Sequence, residues 1–297
     1  MTLNRIDSPP STAAERAAER GDEWAMAMMR TLRAHVSRWR GNLTEALEGA
    51  KAARTAFRRI GDPLGLTQAL SVLVRVQVAL GQFDDARRSG NEIMSVAETS
   101  PLGSIPVIAV AGAAMHRGLA HHALRRVITA EDAMVVSQIS NDEPALIRAL
   151  ATAQLADFDD AARVLAALGP RGSATPMARA VGAVVDVGLG HADRALAAAD
   201  TVRADPRSSY FDRALAELAA VSALAQTGHH AEAVSCAHQA RERVRQVGDV
   251  IATDLFLLIA RRLDGESLDE QADTPASGWI PMLNALAVTP AGVRRSR

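Results

Sequence analysis

The residues with which this 297-residue chain would have to do acid–base, nucleophilic or metal chemistry are eight histidines, one cysteine and a few paired carboxylates. His116, His121 and His122 lie closest together. A histidine pair at i and i+5 converges on a metal only if its helix breaks, and Gly118 supplies a break, but no Asp or Glu follows until Glu131 to complete a ligand set. Solvated or corner histidines are the simpler reading. His191, and His229 and His230 with Glu232, fall where a chain reversal calls for polar residues anyway. Cys236 stands among Ala233, Val234 and Ala237, and His238, two residues on, would leave a helix on another face. A buried structural thiol is therefore expected, since a nucleophilic cysteine needs exposure and a neighbouring base. Asp84 and Asp85, like Asp159 and Asp160, stand at helix beginnings, where carboxylates cap and complement the helix dipole. A nucleotide-binding P-loop needs a GK followed by Ser or Thr, and Lys51, the one lysine, lies in EGAKAART. No catalytic residue, metal ligand or cofactor is expected.

The composition narrows the remaining classes. It is 48% hydrophobic, 23% charged and only 3% aromatic, so the apolar content is mainly Ala, Leu and Val, a mixture that favours closely packed helices over strands. A net charge of −1 gives no bulk field toward nucleic acid or an anionic membrane, so neither partner is expected. A single cysteine excludes an intramolecular disulfide and suits a reduced compartment. The most apolar stretch, residues 102–115, is interrupted by Pro106 and followed by His116 and Arg117, too short to span a bilayer. The opening residues lack an apolar core of signal-peptide length, and the expected setting is the cytoplasm.

Organisation comes from repetition. Residues 41–46 read GNLTEA and residues 81–86 read GQFDDA; the phrase returns as GLAHHA from Gly118, ADFDDA from Ala156, GHADRA from Gly190 and GHHAEA from Gly228. Successive starts are 34 to 40 residues apart, the period of stacked helical units. In five of the six phrases a Gly ends one helix in a left-handed cap, Ala156 standing in its place in the fourth; the polar residues open the next helix, and the Ala five positions on is small enough for two helices to approach. Proline and glycine clusters around Pro63, Pro101, Pro144, Pro176, Pro206 and Gly248 lie half a period away and mark the joints between hairpins. Between breaks the apolar residues keep helical spacing, as Leu66, Leu70, Leu73, Val76 and Leu80 do. First helices are predicted near 22–39, 63–80, 104–117, 143–155, 176–189 and 208–227. Second helices are predicted near 43–60, 83–98, 120–137, 158–168, 191–203 and 230–247, with a capping helix near 249–263. Residues 1–21 read as a flexible lead, and residues 264–297 as a linker, a short docking helix at 279–287 and a disordered tail.

With Gly81, Phe83 and Ala86 following Leu70 and Leu73, and counterparts in the other hairpins, residues 22–263 resemble the tetratricopeptide repeat family. Phrases such as AFRRIGDPLGLTQAL at residues 56–70 are similar to the longer repeats of large bacterial ATP-dependent, LuxR-like regulators. The resemblance implies an all-α, right-handed α-solenoid of about six hairpins plus the capping helix. It also implies a non-enzymatic scaffold in bacterial regulation whose first helices line a concave face that holds a protein or peptide. In that register the face carries Gln68, Ser71 and Arg75, then Ile105, Ile108 and Met115, then Leu146 and Leu150, then Leu215 and Leu218. The arginines Arg30, Arg33, Arg38 and Arg40 offer a site for an acidic peptide or a phosphate, or else an ordinary solvated helix face. So apolar a wall suits a peptide helix or a small apolar effector in an enclosed cavity, or else a tightly wound superhelix whose opposite walls touch; a one-residue shift in register would make the same residues ordinary core.

Overall fold

The computed structural model describes residues 21–99, 104–137, 142–268 and 273–286, and among these residues it contains helices and corners and no strand. First and second helices alternate: α1 (Glu23–Arg40) and α2 (Leu43–Ile60), α3 (Pro63–Ala79) and α4 (Phe83–Thr99), α5 (Ile105–His116) and α6 (Ala120–Ser137). Then follow α7 (Glu143–Gln154) and α8 (Phe158–Ala166), a single turn α9 (Pro170–Ser173), α10 (Pro176–Gly188) and α11 (Ala192–Ala204), and α12 (Tyr210–Gln226) and α13 (His230–Val247). The described chain ends with α14 (Val250–Leu263) and, after a 3-10 turn at Ser277–Trp279, α15 (Ile280–Leu286). The expected lead at 1–20, the break around Pro101 and the tail from 287 lie outside the described residues.

The six repeated phrases form the same corner. In each, the corner residue has a positive φ, from 63° at Ala156 to 89° at Gly41. Its N–H donates to the carbonyl three residues back, and the next N–H donates to the carbonyl five back, as Gly190 does to Val187 and His191 to Asp186. These bonds satisfy carbonyls that a helix end leaves open. The alanine five positions on is buried every time: Ala46, Ala123, Ala161, Ala195 and Ala233 at 0% exposure and Ala86 at 5%.

At the joints between hairpins side chains cap the helix that follows, while Gly61 and Gly248 there keep the left-handed conformation seen at the corners. Asp22, Asp62, Thr175 and Asp249 accept N–H groups of α1, α3, α10 and α14, while Ser209 and Asp212 form a reciprocal capping box at the start of α12. Each such cap stabilises its helix by about 1 kcal/mol. Pro63, Pro144, Pro170 and Pro176 sit in first turns, where a missing N–H costs nothing. The extra turn α9 is opened by one of these prolines, Pro170, and has no counterpart in the other described joints, which is why residues 158–176 depart from the two-helix expectation.

The chain divides into two compact units, Met1–Ala113 with Arg126–Ser140, and Ala114–Arg125 with Asn141–Arg297. In the first, α1 to α4 pack in series and α3 also touches α1. In the second, α7 packs on α8, α10 on α11, α12 on α13 and α13 on α14, while α7, α10, α12 and α14 follow one another as a row of first helices. This layering explains a difference in sequence between the two helix types. A second helix such as α2 buries one stripe (Leu43, Ala46, Leu47, Ala50, Ala53, Phe57), whereas α3 is covered by neighbours around most of its circumference and is apolar nearly throughout.

Candidate functional site

In the first unit the first-helix residues singled out from sequence are mostly engaged. Arg30 is exposed; Arg33, also exposed, pairs with Glu45 at 2.7 Å, and that hydrogen bond, with one from Ser37, holds the Glu45 carboxyl below its usual range. Gln68 is half-buried, and the buried Ser71 hydroxyl donates to the Thr67 carbonyl. Arg75 lies over Gly112, where a Cβ would come 3.1 Å from its Cζ, and its Nη2 donates to the Ile108 carbonyl at 3.4 Å. Arg75 is thus bound back onto α5 rather than held out for an acidic ligand. Ile105 is 36% exposed, while Ile108 is buried.

In the second unit the predicted wall residues Met115, Leu146, Leu150, Leu215 and Leu218 are all buried, the last three at 1% exposure or less. The row of first helices in this unit already carries a helical segment. α15 packs on α7, α10 and α14, and residues Trp279, Met282, Leu283 and Leu286 are buried to 1% or less. The Trp279 indole N–H donates to the His116 carbonyl at 3.0 Å, Gln226 Nε2 donates to the Leu286 carbonyl at 3.4 Å, and the Ala276 N–H donates to Asp254 at 3.0 Å. Gly278 meets the corner at Gly118 backbone to backbone: a Cβ on Gly278 would come 2.3 Å from the Gly118 oxygen. Gly278 has no positive φ, so close approach, not conformation, is what requires a glycine there.

His116, which has no nearby carboxylate in sequence, acquires one in space. Its Nε2 lies 2.9 Å from Asp249 Oδ2, out of line for a hydrogen bond, and its ring stacks on Phe211 at 4.7 Å. Asp249 is fully buried, takes the N–H groups of Ile251 and Ala252 on Oδ1, and accepts the Tyr210 hydroxyl on Oδ2. With three donors already in place this carboxylate caps α14 and ties α12 to α14, a structural role that its burial suits. The same latch recurs in the first unit, where the Trp24 indole donates to the cap residue Asp62 at 2.6 Å. Local spacing could not show the His116 pair, because its members are far apart in the chain.

The other chemical candidates resolve individually. Among the described residues no three His, Cys, Asp or Glu side chains gather as a metal set. Cys236 is half-buried rather than buried, and burial first, then Glu217 and Glu232, pushes its thiol above the ordinary value, the reverse of nucleophile activation. Asp84 and Asp85 pair with Arg87 and Arg88, and in α8 it is Asp157 that caps, accepting from Asp160 N–H. His191 stands 3.6 Å from Asp186, which Arg194 also pairs, beside an open cleft of about 330 Å³ lined by Leu165, Ala178, Gly182 and Val185. Two glutamines escaped notice in the sequence: Gln154 and Gln226 each stand two residues before a corner and donate to a carbonyl three residues before the previous corner, Met115 and Val187. Their equal distance from the repeated phrase was the available signal.

No family model and no curated protein sequence matches the chain. Among solved structures it is similar to a tetratricopeptide repeat protein from Parabacteroides merdae, at 14% identity and a TM-score of 0.45, over 88% of this chain and 99% of that one. The helical-repeat fold rests on the equivalence of the six corners.

Proposed function

We propose that the protein is a non-enzymatic, tetratricopeptide-like scaffold that holds a protein or peptide segment on its first helices and acts in bacterial regulation within the cytoplasm. The observation that supports this most directly is α15, a helical segment seated across α7, α10 and α14 by large apolar side chains: a row of first helices in this chain accepts a helix laid on it. None of the described helices is long and apolar enough to cross a membrane. The first unit offers Arg30, Gln68 and Ile105 as accessible first-helix positions for such a segment. The reading is tested with a photo-crosslinking residue placed in the full chain at Gln68 or, on a second helix, at the exposed Arg87. A protein adduct formed from Gln68 and not from Arg87 supports it; no adduct, or the same adducts from both positions, refutes it.

A second reading, a small-molecule effector, draws on the open cleft of about 330 Å³ between α8, α10 and α11, whose lining sets Asp186, His191 and Arg194 beside its apolar residues and which reaches the lower end of ligand-pocket sizes. Gly182 leaves open space there, so Gly182→Leu would fill the cleft and abolish effector binding without disturbing the crosslink from Gln68.

A further inference from the structure

We propose that residues 276–286 are an exchangeable intramolecular ligand of the second unit. The partner this face takes is then an amphipathic helix with large apolar side chains at the spacing of Trp279, Met282, Leu283 and Leu286. The proposal rests on the scaffold reading and specifies its partner. Those four residues stand at i, i+3, i+4 and i+7; Trp279 closes the 3-10 turn that leads into α15, the other three share one face of α15, and such spacing is the pattern by which a groove reads an incoming helix. All four are buried to 1% or less.

The polar contacts are of a kind that a separate peptide can reproduce. Asp254 takes a main-chain N–H, Gln226 gives to a main-chain carbonyl, and the His116 carbonyl takes an indole N–H. They read the main chain of the segment and its one tryptophan. Gly118 contributes a bare corner against which only a residue without a Cβ fits, and Gly278 is that residue. The recognition pattern is therefore Gly-Trp followed by apolar residues three, four and seven positions beyond the tryptophan.

The connection permits exchange. α14 ends at Leu263 and the chain stays packed as far as Leu268, which is buried to 1%, so about seven residues lead from there to Ala276, a contour of roughly 25 Å when extended. A tether of that length holds the segment at an effective concentration of about millimolar. A partner must overcome this, and it binds in proportion to the fraction of chains whose own segment is off. The C-terminal segment thus sets a threshold on partner binding.

The probe is a fluorescein-labelled synthetic peptide of residues 273–286, titrated by anisotropy into the full-length chain and into full-length Leu283→Asp. Tethered competition predicts binding at least tenfold tighter to Leu283→Asp than to the unaltered chain, and no binding of a peptide carrying Trp279→Ala. Equal affinities, absence of binding to the variant, or loss of the variant's helix content would each overturn the proposal by showing the segment to be fixed core. Hydrogen exchange on the unaltered chain gives an independent reading. The amides of residue 280 and residues 282–286 should exchange through an opening that leaves α10 and α12 protected, and exchange at the rate of those helices overturns exchangeability. Concentration-dependent dimerisation that protects residues 280–286 would assign the face to a second copy of the chain and overturn the separate partner. Any of these failures leaves the Gln68 crosslink, and with it the scaffold reading, standing.

Discussion

Ala156 occupies the one corner of the six where a side chain is forced into the left-handed region, at φ 63°, and replacing it with glycine should stabilise the protein. An L-residue in that conformation costs roughly 1–2 kcal/mol relative to its helical alternative. Glycine removes this cost but brings greater freedom to the unfolded chain, which takes back roughly 0.4–1 kcal/mol. The net gain for Ala156→Gly is about 0.5–1 kcal/mol, or a rise in Tm of roughly 1–4 °C for a cooperative unit of this size. Two controls isolate the cause. Gly190→Ala places a methyl at φ 80° with no atom within 4 Å, so it should lose what Ala156→Gly gains. Ala161→Gly, five residues on in α8 and fully buried, makes the same chemical change as Ala156→Gly with the opposite sign. It loses a buried methyl (~0.8 kcal/mol) and helix propensity (~1 kcal/mol), together about 2 kcal/mol. Urea unfolding followed by circular dichroism at 222 nm measures all three. If Ala156→Gly destabilises alongside Ala161→Gly, the 156 corner is not equivalent to the glycine corners and the repeat assignment fails there.

Other substitutions test the contacts individually. Gly278→Ala drives a Cβ to 2.3 Å from the Gly118 oxygen and should lift the C-terminal segment; acrylamide quenching of tryptophan emission should increase, because Trp279 is 1% exposed before the change. Asp249→Ala removes two helix-capping bonds and the hydrogen bond from the Tyr210 hydroxyl, a loss of about 2–3 kcal/mol in urea unfolding. Ala195→Leu overpacks a corner at 0% exposure and should destabilise by about 1–3 kcal/mol in the same assay, whereas the identical change at the exposed Ala197, two residues on in α11, should be nearly silent. Hydrogen bonds from the side chain and backbone of Arg207 lower the Asp205 pKa to about 2. Because this folded value lies below the unfolded one, near 3.9, the contribution is complete above about pH 4 and disappears as pH falls through about 2. Asp205→Asn should therefore be less stable than the unaltered chain at neutral pH, with the gap closing across that interval.

Most of the helix pattern was legible in the sequence because local rules decide it. A glycine that must adopt positive φ, an alanine that must leave room, and a proline that opens a helix act within a few residues, so their spacing gave the hairpins with ends within a few residues of those observed. The single turn α9 was missed because Leu168, Gly169 and Pro170 read as a break, and a break long enough to close one turn looks the same in sequence as one that does not. The candidate site was less legible. Leu150, Leu215 and Leu218 carry the right periodicity, but periodicity states that a face is covered and leaves open what covers it.

What the sequence determined, then, is the unit: a helix, a corner with one admissible backbone conformation, and a second helix, repeated at a nearly constant interval, because each of these depends on residues a few positions apart. Only the tertiary structure decided what meets at long separation. His116 finds its carboxylate in Asp249, Gly118 its counterpart in Gly278, and the first helices of the second unit their occupant in residues 276–286. Such contacts depend on how successive hairpins turn relative to one another, a sum of small packing angles that no single stretch of sequence encodes.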